Sequence, residues 1–462
     1  MSDPIIVISS DTHAGNSVAG YREYLDTKHQ ALFDEWRGSY KNPQKKHIGS
    51  KKHKNWDDAE RMSDMQTEGV VGEIVFPNTV PPFFRSSVLI CGNPRPEDYL
   101  MRLEGIRAHN RWLSEWCGEF PAQRAGIGLV YLNDIDEAIK DIEWIAKNNL
   151  RGGVLLPHVP DDCTGYIKPL YHPDYDPMWA LLEETGLVVN HHGGTGSPDY
   201  GRLPVSLPIR LIETGFFSTR SYSQLLLSGV FHRFPKLKYI ITESGCAWVP
   251  ETLQRLDMAW KRISSGAVGE FQFAEGVTTP EPPSFYAKQN CYYGASSASP
   301  PELKDRDVIG TERILWGSDY PHYEGTYPDT RLALRHTFNT CGEDDTRAML
   351  GLNAAKLYDF DLEALKPISD KCGPTWDELS VPLAPDDVKG AVAGAADGVL
   401  DNPRLAARLR RADHVEAGVH DGVGALDRKG DLALLVPDAV EVIKVSHHVA
   451  EGAARLGHVP HG

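Results

Sequence analysis

No two of the seven cysteines (91, 117, 163, 246, 291, 341 and 372) form a C-x-x-C pair, and their odd number fits no closed disulfide framework. Reduced thiols in a cytoplasmic setting are the expectation. Also missing is any run of about 18 apolar residues, which excludes a membrane-spanning helix. The apolar stretch after Pro4 is short and has no basic leader, so it does not read as a signal peptide. Basic charge is scarce. The chain has 48 Lys and Arg against 64 Asp and Glu, a formal net charge of -16, whereas a nucleic-acid partner would need a basic face. The one basic cluster, Lys45-Lys46-His47 with Lys51-Lys52-His53-Lys54, reads as a solvated loop. Finally, the 79 residues from Ala384 to Gly462 contain no Phe, Tyr, Trp, Met, Cys or Thr, in a chain that is 9% aromatic. So few large side chains do not fill a core. Residues 384–462 are expected to form a disordered tail, with 1–383 as the folded domain. His447-His448 in that tail comes without the further ligands that a zinc site needs.

What the chain does contain is a repeated alternation of short apolar strands and helical patterns. The first strand, from Ile5, ends in Asp11-Thr12-His13. In extended backbone, positions i and i+2 share a face, so Asp11 and His13 can converge on one point. One oxygen and one nitrogen ligand suit zinc, manganese or iron better than calcium. Further strands are predicted over 70–76, 126–130, 152–158, 187–192, 237–243, 290–293 and 313–319. Helices are predicted over 56–68, 97–119, 135–148, 175–185, 221–232 and 249–262. In the first of these Ala59, Met62, Met65 and Gln66 share a side, and in the second Leu100, Leu103, Ile106, Trp112, Leu113 and Trp116 read as core packing. Eight doubly buried strands alternating with helices predict an α/β fold, a (β/α)8 TIM-like barrel. The stretches 14–55, 194–220 and that after Ala295 are long insertions at its mouth. Chemistry in such a barrel sits at the carboxyl ends of the strands. There the sequence places Asp11, His13, His158, His191, His192, Glu243, Asp319 and His322.

The run from Leu226 to Lys238, then Glu243-Ser244-Gly245-Cys246-Ala247-Trp248-Val249-Pro250, Trp316-Gly317-Ser318-Asp319-Tyr320-Pro321-His322 and Asn353-Ala354-Ala355-Lys356-Leu357-Tyr358, resembles the amidohydrolase-related family that includes aminocarboxymuconate-semialdehyde decarboxylase. The resemblance covers roughly residues 5 to 365. It implies one catalytic divalent metal, zinc first, with manganese or iron as alternatives, held by Asp11, His13, His192 and Asp319. His192 is preferred to His191 because the family's H-x-G pattern ends in a glycine that His192-Gly193-Gly194 supplies, although His191-His192-Gly193 fits it too. Glu243 stands where many relatives have a catalytic His. A carboxylate accepts hydrogen bonds where a neutral imidazole can donate, so Glu243 reads as a further ligand, as an acid/base group, or as a helix N-cap.

The leading expectation is a hydrolase in which the metal activates a water whose proton goes to Asp319. His322 would contact substrate or deliver a proton, and His158 and Arg61 would hold a substrate carboxylate. The alternative is non-oxidative decarboxylation, and a third reading is a catalytically silent barrel that binds a partner. The expected partner is a small-molecule substrate, without nucleic acid or membrane, and the enzyme is expected to be a homo-oligomer, a dimer.

Overall fold

Eight parallel strands follow one another around the molecule in chain order: β1 (Ile8–Ala14), β2 (Gly72–Pro77), β3 (Arg124–Leu129), β4 (Gly153–Leu155), β5 (Val189–His192), β6 (Tyr239–Thr242), β7 (Cys291–Ser296) and β8 (Ile314–Gly317). The computed structural model describes residues 2–41, 52–201 and 203–384. They fall within a unit spanning Met1–Glu416, while a second unit, Ala417–Gly462, lies outside them. The tail expected to be disordered therefore lies, from residue 385 on, outside the described residues, as do Lys45, Lys46, His47, Lys51 and the pair His447-His448. Hydrogen bonds from backbone N–H groups return the chain from β8 to β1. Ser318 N–H donates to Ser9 Oγ (2.8 Å), Asp319 N–H to the Asp11 carbonyl (2.8 Å), and His13 N–H to the Tyr320 carbonyl (2.7 Å). This is the expected (β/α)8 barrel.

Strand alternation divides the core in two. Ile8, Ile74, Phe76, Ile127, Leu129, Leu155, Ile240 and Leu315 pack in one cluster, with Tyr358 and Phe360. Val7, Val75, Val154, Val189, Tyr239, Ile241, Ile314 and Trp316 belong to the other cluster, with helix residues such as Trp112, Ile142 and Trp179. The first set fills the barrel, and Tyr358 O–H donates to Asn190 Oδ1 (2.8 Å) inside it. The second lies between strands and helices. No described helix is long and apolar enough to cross a membrane.

β1 carries a one-residue bulge. Ile8 pairs with Gly72 and Ser9 with Glu73, but Thr12 pairs with Val75 and His13 with Phe76. Three steps along β1 match two along β2, and this extra residue reverses the parity of the strand. Without it, a strand with Ile8 inside would turn Asp11 and His13 outward. With it, Thr12 points outward and donates to Glu73 Oε2 (3.0 Å), and His13 turns inward beside Phe76.

Several helices depart from the sequence expectation. Asp58–Glu68 is capped by the Asp57 side chain accepting from Glu60 N–H and ends at Gly69 with φ 78°. It buries Arg61, Met65 and Glu68, while Ala59 and Gln66 are exposed. The face is rotated because Arg61 goes to the buried Glu73, Nη2 to Oε2 2.6 Å, with its Nη1 donating to the His13 carbonyl (2.9 Å) and the Lys54 carbonyl (3.2 Å). The expectation that Arg61 grips a substrate carboxylate is not met by this placement, because the guanidinium is fully buried and its acceptors are protein groups. Lys54 is buried too, ion-paired with Asp64 and Glu60 rather than solvated. Leu100 is 70% exposed, whereas Trp112 and Trp116 are core residues as expected. In the insertions, Thr27–Ser39 is a helix, and one helix runs Ser206–Leu227 where only 221–232 is predicted. Its exposed apolar start gives no core-facing periodicity to read.

Removing one partner of a fully buried ion pair leaves an uncompensated charge. Arg61→Met should therefore lower the unfolding free energy in urea melts by about 3–5 kcal/mol. An unchanged midpoint with a raised KM would instead assign Arg61 to the substrate. We also propose that residues 1–383 suffice as the catalytic domain. A chain ending at Leu383 should keep the melting temperature and activity of the full chain, and loss of either refutes the boundary.

Candidate metal centre and active site

At the carboxyl ends of β1, β5 and β8 four side chains meet, all nearly devoid of solvent contact. His13 Nε2 lies 3.2 Å from Asp11 Oδ1 and 3.1 Å from Asp319 Oδ1, and His192 Nε2 lies 3.3 Å from Asp11 Oδ1. Each imidazole is oriented from behind. His13 Nδ1 faces the Pro77 carbonyl at 3.4 Å, and His192 Nδ1 faces the Gly193 carbonyl at 2.8 Å. A ring that donates from Nδ1 presents its Nε2 lone pair to the cluster, the usual arrangement of a metal-ligating histidine. Ser296 O–H donates to Asp11 Oδ2 (2.5 Å). His191, one residue earlier on β5, turns the other way, its Nδ1 2.9 Å from Tyr239 Oη.

Two observations show that the residues fit a divalent cation. His13 Nε2 is buried and has no hydrogen-bond partner of acceptable geometry, a cost that a bound cation would remove. The charges also match. Burial disfavours both imidazolium forms, but the neighbouring carboxylates outweigh it, chiefly Asp11, and push His13 and His192 each up to about 9. Asp11 and Asp319 are lowered against their own burial, Asp11 by His192 and His13, Asp319 by His322 and His13. Two carboxylates balanced by two extra protons have the same net charge as two carboxylates, two neutral imidazoles and one divalent cation. Metal binding here would release protons.

His322 and Glu243 flank this cluster. His322 Nδ1 is 2.7 Å from Asp319 Oδ1, its Nε2 is 3.1 Å from Asn78 Oδ1, and its ring stacks on His13 at 4.0 Å. Burial and the stacked His13 oppose a charge on this ring, but the Asp319 carboxylate outweighs them and raises its pKa. Glu243 places Oε2 3.4 Å from His192 Nδ1 and keeps a third of its side chain exposed. It does not cap a helix, since the next one begins only at Val249 with Trp248 in the cap position. Burial and the nearby Asp319 carboxylate push its carboxyl up to about 7. Both Glu243 (φ 55°) and Asp319 (φ 58°) adopt the left-handed backbone region. Non-glycine residues enter it at a cost, and they cluster at functional sites.

His158 lies on the same rim but apart from the cluster, stacked on His191 at 4.0 Å with Nδ1 2.6 Å from Ser221 Oγ. Sequence reasoning overlooked Asn78, Ser296 and Glu324, whose carboxylate comes within reach of those of Glu243 and Asp319. Asn78 immediately follows β2, so its strand-end position was the available signal. Ser296 was hidden because β7 runs three residues beyond the predicted end at Tyr293.

A sequence profile described as amidohydrolase matches residues 99–360. Among solved structures, the chain is similar to 5-carboxyvanillate decarboxylase from Sphingomonas paucimobilis, with 20% identity and a TM-score of 0.57 over 77% of this chain and 100% of that one. It is also similar to an amidohydrolase from Mycobacterium avium subsp. paratuberculosis, with 19% identity and a TM-score of 0.58 over 79% and 100%. A third similar structure is the dihydroxybenzoic acid decarboxylase of a Polaromonas species, with bound manganese and the inhibitor 2-nitroresorcinol (17% identity, TM-score 0.53, 77% and 97% covered). At these identities the likeness establishes the shared barrel. The profile match spans more than half of the sequence, and the chain belongs to the amidohydrolase family.

Proposed function

We propose that this chain is a divalent-metal-dependent, non-oxidative decarboxylase acting on a small hydroxylated aromatic acid. The hydrolase expected first from the sequence gives way to its alternative. The observation that carries the reading is the placement of Glu243, a carboxyl at the mouth of the metal cluster with Oε2 3.4 Å from His192 Nδ1. A carboxyl so placed can deliver the proton that decarboxylation needs at the ring carbon. Support also comes from the folds of this kind that act on 5-carboxyvanillate and dihydroxybenzoic acid.

Asp11, His13, His192 and Asp319 would hold one divalent cation, whose charge would bind the substrate carboxylate and an adjacent hydroxyl. Manganese, present in the Polaromonas relative, suits this nitrogen and oxygen set as well as zinc or iron does. The reaction replaces carboxylate by hydrogen at one ring carbon. Glu243 transfers its proton to that carbon and forms the C–H bond. The C–C bond then breaks, its electron pair restores the ring, CO2 leaves, and solvent reprotonates Glu243. His322, held between Asp319 and Asn78, keeps Asp319 in position and offsets its charge.

Hydroxybenzoates carrying an ortho carboxylate should release CO2 in one-to-one ratio with the decarboxylated phenol. Chelation should abolish turnover and manganese or zinc should restore it. Glu243→Gln should lower kcat by about 10²–10⁴-fold without changing the melting temperature. Full activity of metal-free protein, or acid and alcohol production from lactones without CO2, overturns the assignment.

We also propose that the enzyme is a homodimer. Leu203, Val205, Leu207, Leu211, Ile212 and Phe216, at and before the start of helix Ser206–Leu227, are each between 52% and 83% exposed. An apolar surface of this kind marks an interaction site, and a two-fold axis can set it against its own copy. Sedimentation should show a dimer that Ile212→Glu converts to monomer. A monomeric wild-type chain refutes this.

A further inference from the structure

Beside the cluster, on the rim formed by the ends of β3, β4 and β5, opens a cavity walled by Leu129, Tyr131, Leu155 and Leu156. Its polar lining includes His158 and Arg210. Gly194, two residues beyond His192, also lines it. Arg210 Nη2 donates to the Gly194 carbonyl at 3.2 Å and, more weakly, to the Ile90 carbonyl at 3.4 Å. Those two neutral acceptors use one of its three nitrogens. No carboxylate of the described residues pairs with it, and Asp199 acts on it only from beyond ion-pair distance.

Arg102 stands behind the cavity wall. It is 7% exposed, stacks 4.4 Å over Phe84 and 5.4 Å over Tyr131, and donates from Nη2 to Tyr131 Oη (2.8 Å). Its Nε is buried without a partner, and among the described residues no acid faces it either. His158 is the third unsatisfied group. Its ring is 4% exposed, and Nε2 has no hydrogen-bond partner while Ser221 occupies Nδ1. Burial keeps this imidazole neutral, with its pKa pushed down to about 3. One guanidinium without a carboxylate partner, that of Arg210, thus lines a slot walled largely by apolar side chains, and a second, Arg102, stands behind its wall. A slot so built favours a flat apolar body carrying an anion.

We infer that this cavity is the subsite for the aromatic ring of the substrate, and that Arg210 binds a second anionic substituent, so that the enzyme selects aromatic dicarboxylates over monocarboxylates. The inference rests on the proposed decarboxylase reading for the position of the first carboxylate at the metal cluster. Arg210 then holds the other through its free nitrogens, bidentately where geometry permits. Tyr131 and the leucines contact the ring faces. Specificity arises because a monocarboxylate leaves the guanidinium without a partner, whereas a dicarboxylate supplies one.

The test is binding of isophthalate and of benzoate to the full-length metal-loaded enzyme by titration calorimetry. The wild type should prefer isophthalate by about tenfold or more, the usual worth of one charge-assisted contact. Arg210→Gln should reduce that preference to less than about twofold and leave benzoate affinity unchanged, and Arg210→Lys should retain part of it. Arg210 is half exposed on a surface helix, and circular dichroism of each variant checks that the fold is kept. A wild type with no preference overturns the inference, as does an unchanged preference in a folded Arg210→Gln. CO2 assays separate this from the reaction itself. Arg210-dependent binding without CO2 release from any hydroxylated mono- or dicarboxylate sinks the decarboxylase reading alone. CO2 release with an Arg210-independent preference sinks this inference alone.

Discussion

The single extra residue in β1 is the constraint on which the mouth of this barrel depends. Strand side chains alternate strictly, so a strand that places Ile8 inside the barrel cannot also turn Asp11 and His13 inward unless its parity changes. The bulge between Ser9 and Thr12 makes that change. It also frees the backbone around Asp11 to meet β8, and the hydrogen bonds that close the barrel, from Asp319 N–H and to His13 N–H, belong to residues of the cluster. Closure and site assembly are therefore one event. A chain that failed to pair β8 with β1 would lose the second carboxylate along with the seam.

The treatment of buried charge follows from this geometry and differs from one side of β1 to the other. Outward, Thr12 meets Glu73, and Glu73 is neutralised in place by Arg61 and Arg124. That network is self-contained and holds the strand against its helix. Inward, the side-chain partners of Asp11 and Asp319 are imidazoles and a hydroxyl, so their charge is balanced by mobile protons on His13, His192 and His322. Protons can leave in exchange for a cation, whereas guanidiniums cannot. Alternation along one strand thus sorts a permanent ion pair from an exchangeable one.

The sequence made the barrel legible because its strands are short, apolar and separated by helices whose caps are local. It made Asp11, His13, His192 and Asp319 legible as strand-end residues for the same reason. The bulge was not visible, since Ser-Ser-Asp-Thr has no distinguishing pattern, and the correct pairing of Asp11 with His13 survived only because both shift together. Arg61 was misread for an opposite reason. A lone arginine on a helix near the rim offers a plausible carboxylate partner, and its true one, Glu73, is non-adjacent in sequence and sits inside a strand that reads as apolar. Helix Ser206–Leu227 escaped because its first turns expose leucine and isoleucine to solvent, so hydrophobic periodicity carried no information about where it packs.

Charge is also divided across the mouth. At the ends of β1, β6 and β8 acids converge: Asp11, Glu243, Asp319 and Glu324. On the β3 and β4 side the guanidiniums of Arg102 and Arg210 have no ion-pair partner among the described residues. Between them His158 and His191 are stacked face to face, and burial holds both neutral. Were either ring charged, Arg210 and the cluster would be linked through it and the separation would weaken. Neutral rings keep the acidic side and the guanidinium side of the mouth electrically apart. Once a cation neutralises the acidic pole, both ends of the slot attract anions. A rigid, flat dianion can satisfy both at once, which a substrate with a single carboxylate cannot do.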